Sequence, residues 1–179
     1  LIDDLLTVSR LAQKSNTLER VSVRNLIDEV LQRFEHVIRE RPVRLQIADN
    51  LPTILCDRVR LGEVFANLIS NAIKYTDQGQ ITVRAEQLEA DSGRLPLYIS
   101  VEDTGCGMPP ELVERIFEPF FTTKAPGRGT GLGLASVSGA VSAAGGTVRL
   151  LPADGPGARF SVWLPCSEEQ PSSLETTPV

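Results

Sequence analysis

Asn67-Leu68-Ile69-Ser70-Asn71-Ala72-Ile73-Lys74-Tyr75-Thr76 is the stretch whose reading decides the fold. It closes a longer run, and the periodicity predicts a helix from Asp57 to about Tyr75 with Asp57 as its N-cap. Projected as a helix, Arg60, Glu63, Asn67, Ser70, Asn71 and Lys74 fall within about 100° of one another. Leu61, Val64, Phe65, Leu68, Ile69, Ala72 and Ile73 take most of the other side. A polar helix face is ordinarily a solvated one. Two asparagines one turn apart are less ordinary, because Asn is a poor helix former. An asparagine carbonyl can ligate Mg2+ without neutralising it, and a lysine one turn on can meet phosphate.

Two further segments lie downstream. Asp103-Thr104-Gly105-Cys106-Gly107-Met108 follows a predicted strand directly. Its glycines let the backbone turn sharply and approach a ligand. Asp103 can accept hydrogen bonds from an amine such as the exocyclic group of adenine. By itself this segment reads as a tight turn with an Asx cap. Gly127-Arg128-Gly129-Thr130-Gly131-Leu132-Gly133-Leu134-Ala135 opens a predicted helix, where exposed amides suit an anion. It matches neither GxxxxGK[ST] nor GxGxxG, so alone it reads as a glycine-rich hinge.

In this order the segments resemble the boxes of sensor histidine kinases. Asn67 to Thr76 resembles the N box, Asp103 to Gly107 the G1 box, Phe117-Glu118-Pro119-Phe120-Phe121 the F box, and Gly129 to Ala135 the G2 box. Together they resemble the ATP-binding superfamily of gyrases, heat-shock chaperones, histidine kinases and mismatch-repair proteins, from about Glu19 to Pro165. The helix and strand pattern itself favours an α/β two-layer sandwich with a mixed sheet. The resemblance sharpens this to a Bergerat-type ATP-binding fold of the α+β kind. In it a mostly antiparallel sheet of about five strands packs against three helices, with an extra N-terminal helix.

The resemblance also implies roles, with ATP and Mg2+ as cofactors. Asn71 would hold Mg2+ with Asn67 beside it. Lys74 would contact phosphate and, with Asn67, form the catalytic set. Tyr75 would lie over adenine, Asp103 would bind its amine, and Gly105 and Gly107 would shape that pocket. Residues 117–131 would form an ATP lid, with Lys124 and Arg128 as phosphate contacts. Gly129, Gly131 and Gly133 would hinge the lid and present amides, and Thr130 and Leu132 complete the cofactor-binding set. Such charges stabilise a transferring phosphoryl group electrostatically.

ATP-hydrolysing members of the superfamily carry a glutamate where Asn67 stands, and Asn is a poor base. The implied activity is therefore transfer of the γ-phosphate to a histidine on the protein's own dimerisation hairpin, within a homodimer. The phosphate would then pass to the aspartate of a response-regulator receiver domain. The alternatives are an ATP-binding switch without phosphotransfer and an ATP-hydrolysing clamp. His36 lies inside a predicted helix and lacks the surroundings of a phosphoacceptor, which is expected upstream of Leu1.

Leu1, Leu5, Val8 and Ala12 make a helical stripe. The spacing fits a helix docked on its own domain or the end of a dimerising hairpin. Leu1 to Leu11 resembles the latter. The expected division is residues 1–15 as the end of that hairpin, 16–166 as the catalytic domain and 167–179 as a flexible tail or linker.

Further predicted elements are a short edge strand at Glu19 to Ser22, a helix at Val23 to Glu40 and strands near 43–48, 54–56, 80–88 and 95–102. A helix at 112–117, another at 133–144 and a closing hairpin at 147–151 and 158–164 follow. The 179 residues are 41% hydrophobic and 23% charged, which suits one packed domain. A net charge of -5 argues against an electrostatic nucleic-acid binder. Cys56, Cys106 and Cys166 form no CxxC pair and read as free thiols of a reducing cytoplasm. No apolar run approaches the ~18 residues of a membrane span, so no membrane contact is expected. With no initial methionine and no signal-peptide pattern, the sequence is expected to be a piece of a longer protein, either membrane-anchored or soluble as a whole.

Overall fold

A computed structural model describes residues 17–88, 96–124, 129–153 and 155–165. The expected helix at 1–14, the polar loop around Asp91, Arg128, Asp154 and the tail from 167 lie outside the described residues. The chain runs β1 (Glu19–Ser22), α1 (Val23–Gln32), α2 (Glu35–Arg39), β2 (Val43–Ile47), β3 (Thr53–Cys56), α3 (Arg58–Tyr75), β4 (Gly79–Gln87) and β5 (Leu97–Asp103). A 3-10 turn (Pro110–Leu112), α4 (Gly133–Ala143), β6 (Thr147–Leu151) and β7 (Arg159–Leu164) complete it.

Five strands form one sheet in the order β2-β4-β5-β7-β6. β2 runs parallel to β4 and every other pairing is antiparallel, so the sheet is mixed and mostly antiparallel as expected. The helices cover one face. α3 packs between α1 and α4 and also meets β5. The Asp57 side chain accepts from the Arg60 amide at 3.1 Å, closing the first turn of α3 as the sequence predicts. The apolar side of α3, from Leu61 to Ile73, lies in the core, with Phe65 fully buried.

Period-two alternation positions the site. Leu97, Ile99 and Val101 of β5 point under the helices, while Tyr98, Ser100 and Glu102 point to the other face. Asp103 continues the buried set and is 5% exposed. On the opposite face, Arg159 binds Glu102 at 2.8 Å, and the Tyr98 hydroxyl lies 3.1 Å from that of Ser161.

Two expectations are corrected. The helix at Val23 to Glu40 is broken: Phe34 leaves helical geometry (φ -112°, ψ 3°) between α1 and α2. Phe34 and Ile38 both pack on the core from either side of this break. Residues 112–117 form the 3-10 turn and successive turns rather than a helix. They are fixed by tertiary anchors: Ile116 is buried and the Phe117 ring meets Phe160 edge-on at 6.4 Å. The expected short strand at Glu19 to Ser22 is present, outside the main sheet. It pairs with β3 in a separate two-stranded ribbon. No helix among the described residues is long and apolar enough to cross a membrane.

Because Phe65 is enclosed on all sides, Phe65→Ala should cost about 3–5 kcal/mol of unfolding free energy in urea titrations. Asp57→Ala, which removes only a cap, should cost about 1 kcal/mol. Equal losses would contradict the assignment of α3 as the central core helix.

Candidate functional site

The polar face of α3 forms one wall of a cavity of about 730 Å3. Glu63, Asn67, Ser70, Asn71, Lys74 and Tyr75 line this wall. Asp103, Cys106, Gly107 and Met108 form the floor after β5, and residues 121–124 and 129–134 form the rim. The core side of α3 thus leaves its polar side lining a cavity with an open mouth, where Lys74 and Tyr75 remain exposed.

Asn67 donates its side-chain amide to the Glu63 carbonyl at 3.0 Å. That bond holds the rotamer and leaves the amide oxygen as the group available for a ligand. A Cβ placed on Gly133 would come within 3.0 Å of this oxygen, so α3 and the start of α4 are closely apposed. α4 begins with Leu132 as N-cap and without a side-chain cap bond. The amides of its first turn therefore open at the cavity edge, a position suited to an anion.

Lys74 and Lys124 both line the cavity. Burial, and secondly the charge of Lys124, hold the Lys74 ammonium below the ordinary lysine range. Lys124 Nζ lies 5.1 Å from the centroid of the half-exposed Tyr75 ring, within cation–π range. Burial pushes the Asp103 carboxyl up, with a smaller push from Glu102, against the backbone hydrogen bonds of Gly105 and Ala158. The Gly105 amide donates to Asp103 Oδ1 at 2.9 Å and fixes the carboxylate in place.

The cavity brings together Asn67, Asn71, Lys74, Tyr75, Asp103, Gly107, Lys124, Gly129, Thr130, Gly131, Leu132 and Gly133, all named from sequence. Gly105 does not line it. Gly105 lies behind the floor, where a Cβ would meet the Tyr75 carbonyl oxygen at 2.1 Å, so glycine there permits α3 and the floor to touch. Of the hinge glycines, Gly131 takes a left-handed conformation (φ 66°) against the backbone of Phe120, which is itself left-handed at φ 67°. The Phe120 amide donates to the Gly131 carbonyl at 3.0 Å, joining the two ends of the rim.

Sequence reasoning missed the apolar lining of Met108, Leu112, Ile116, Ala158 and Phe160. These residue types look like ordinary core, and only the strand pairing brings Phe160 beside Val101 and Ala158 beside Asp103. Arg60, on the same helix face, does not line the cavity and pairs with Asp57 at 3.4 Å. Cys106 is a free thiol that borders the cavity.

Residues 56–168 match the family model described as histidine kinase-, DNA gyrase B- and HSP90-like ATPase. Sensor histidine kinase ZraS of Escherichia coli O157:H7 is 42% identical over 151 residues, covering 83% of this chain and 31% of ZraS. The chain spans about a third of the length of the curated relatives it matches. Among solved structures, full-length ShkA in complex with AMPPNP is similar at TM-score 0.79 and 34% identity, covering 93% of this chain and 35% of that one. The nucleotide-free catalytic domain of histidine kinase ThkA is similar at TM-score 0.73 and 32% identity, covering 84% of this chain and 97% of that domain. With four ordered boxes converging on one cavity, the chain belongs to the histidine kinase-, DNA gyrase B- and HSP90-like ATPase family, as an ATP-binding catalytic domain of the histidine kinase type.

Proposed function

We propose that this domain binds Mg-ATP and presents its γ-phosphate to a histidine on a dimerisation hairpin of the same protein. The observation that carries the proposal is the convergence on one cavity of the polar face of α3, the buried carboxylate of Asp103, two lysines and the open end of α4. Adenine fits the apolar half of the cavity, between Met108, Leu112, Ile116 and Phe160. Its exocyclic amine donates to Asp103, and Tyr75 borders its face. The triphosphate extends toward Lys74, Lys124 and the first-turn amides of α4, with Thr130 and Gly129 at the rim. Arg128 is assigned to the phosphates from sequence alone.

The donor set fits Mg2+. No cluster of three His, Cys, Asp or Glu side chains occurs among the described residues, so protein carboxylates do not build a closed metal cage there. Asn67 and Asn71 offer neutral amide oxygens beside cationic groups, which suits an ion held largely by substrate phosphates and water. Bound with ATP, Mg2+ would supply charge neutralisation on the phosphate oxygens. The chain's own residues orient the triphosphate and stabilise its charge. Asn67 cannot take a proton from water, so the nucleophile comes from elsewhere.

Residues 1–15 are assigned as the end of the hairpin and 167–179 as a linker. A response-regulator receiver domain is the acceptor of the second transfer, and the domain acts on the cytoplasmic side. Incubating the domain with the separately purified hairpin and γ-labelled ATP tests the reading. Phosphohistidine on the hairpin is expected. ATP binding without phosphohistidine would leave a switch module, and steady-state hydrolysis abolished by Glu63→Gln would make the domain an ATPase.

Asp103→Asn should weaken ATP and ADP by the same factor, about 10- to 100-fold, because it alters an adenine contact to a charged acceptor. Isothermal titration calorimetry checks this. A loss confined to ATP would place Asp103 at the phosphates instead.

The shifted groups give a pH dependence of defined sign. Lys74 must be protonated to hold phosphate, and its free-state value lies below the ordinary 10.5. Phosphate binding restores the charged form. Nucleotide affinity therefore falls as pH rises through that lowered value, with proton uptake on binding in the window above it. Asp103, raised above 3.8, must be ionised to act as a charged acceptor, so affinity also falls as pH drops through its raised value. Titrations at alkaline pH in two buffers of different ionisation enthalpy should show proton uptake that disappears in Lys74→Met. Proton release would contradict the assignment.

A further inference from the structure

The last turn of α3 supplies both Lys74 and Tyr75 to the cavity, yet α3 ends without a glycine cap. Thr76 follows in an extended conformation (φ -113°, ψ 100°) and is fully buried. The final carbonyls of a helix have no partners within it and need them from elsewhere. Here they find them in two places. The Tyr75 carbonyl accepts from the Cys106 amide at 3.3 Å, on the cavity floor. Arg41, from the loop between α2 and β2, supplies a second partner: its Nη1 donates to the Ile73 carbonyl at 2.7 Å and to the Thr76 carbonyl at 3.5 Å. The same nitrogen lies 3.8 Å from Asp77 Oδ1, whose side chain is almost wholly exposed.

The placement of Arg41 is itself fixed. The Val43 amide donates to the Arg41 carbonyl at 2.8 Å, and the Gly79 amide donates to the Pro42 carbonyl at 3.1 Å. The short segment carrying Arg41 is thus tied to the start of β4, just beyond the helix it caps. A cation at a helix C-terminus also complements the helix dipole. Arg41 does not line the cavity. Its two acceptor residues bracket Lys74 and Tyr75 in sequence, so a shift of either carbonyl moves the lysine and the ring together.

We propose that Arg41 is a positioning residue for nucleotide binding: its guanidinium ties down the last turn of α3 and thereby sets where Lys74 and Tyr75 meet the ligand. This rests on the nucleotide reading given above. Both bonds come from one guanidinium nitrogen; glutamine is shorter and uncharged, whereas lysine keeps the charge and much of the reach without the planar fork. An effect through helix stability alone would act equally on every ligand contact. An effect through the last turn would couple to Lys74.

A double-mutant cycle separates these. ATP affinity is measured by calorimetry for the parent chain, Arg41→Gln, Lys74→Met and the double variant, at a temperature where far-ultraviolet circular dichroism shows all four folded. Arg41→Gln should weaken ATP by about tenfold in the parent, as expected for loss of a charge-assisted bond, and by about threefold or less in the Lys74→Met background. Arg41→Lys should recover part of the loss. A tenfold cost in both backgrounds, or no cost in either, would overturn the proposal. If Arg41→Gln does not fold, Arg41→Lys carries the same cycle, with a smaller cost in the Lys74→Met background expected and equal costs contradicting it. A parent chain that binds no ATP would instead overturn the nucleotide reading.

Discussion

α3 has to satisfy two environments along one 18-residue helix, and the rest of the molecule is arranged around that requirement. Its apolar side is the centre of the core, packed between α1 and α4 over the sheet. Its polar side lines a cavity bounded by the floor after β5 and by the rim before α4. A core helix cannot shift without disturbing packing, since interiors are close-packed. The asparagines and Lys74 are therefore held rigidly relative to Asp103, which lies on the central strand of the same core. Rigid first contacts are what electrostatic stabilisation of a phosphoryl group demands.

The electrostatics of the cavity make sense only with a ligand of mixed character. A carboxylate sits where burial disfavours its charge, and the Lys74 ammonium sits where burial, and secondly the charge of Lys124, disfavour its own. Both arrangements cost free energy in the free protein. An amine at one end and an anion at the other relieve them simultaneously, and adenosine triphosphate has that polarity. The Lys124–Tyr75 contact gives the rim lysine a partner inside the cavity in the free chain. The relatedness of the chain to histidine kinase catalytic domains and the chemistry of the cavity point the same way.

Much of this was legible in the sequence, for a physical reason. α3 is long, capped by Asp57 and strongly two-sided, so periodicity alone located it and both of its faces. β5 alternates cleanly, and Asp103 falls at its end in the buried register. The break at Phe34 was not legible, because Phe34 and Ile38 fit the unbroken helical stripe and the interruption arises from packing. The segment 112–117 has helical composition but is held by Ile116 and Phe117 against distant partners. Gly105 was legible as a residue that shapes the pocket, but the contact its glycine permits between the floor and the Tyr75 carbonyl was not. Arg41 carried no signal at all. It lies 32 residues from its nearest acceptor, and only the fold brings the two together.

The central claim is that α3, the floor after β5 and the start of α4 form one nucleotide site. The most direct measurement is a two-dimensional amide spectrum of the 15N-labelled chain, titrated with AMPPNP in the presence of Mg2+. The account predicts saturable shifts of Gly105, Cys106 and the amides from Gly131 to Leu134, together with the side-chain amides of Asn67 and Asn71. The ribbon of β1 and β3 should stay unperturbed. Shifts confined to that ribbon or to the opposite face of the sheet, with Asn67, Asn71 and the start of α4 unchanged at saturation, would contradict it.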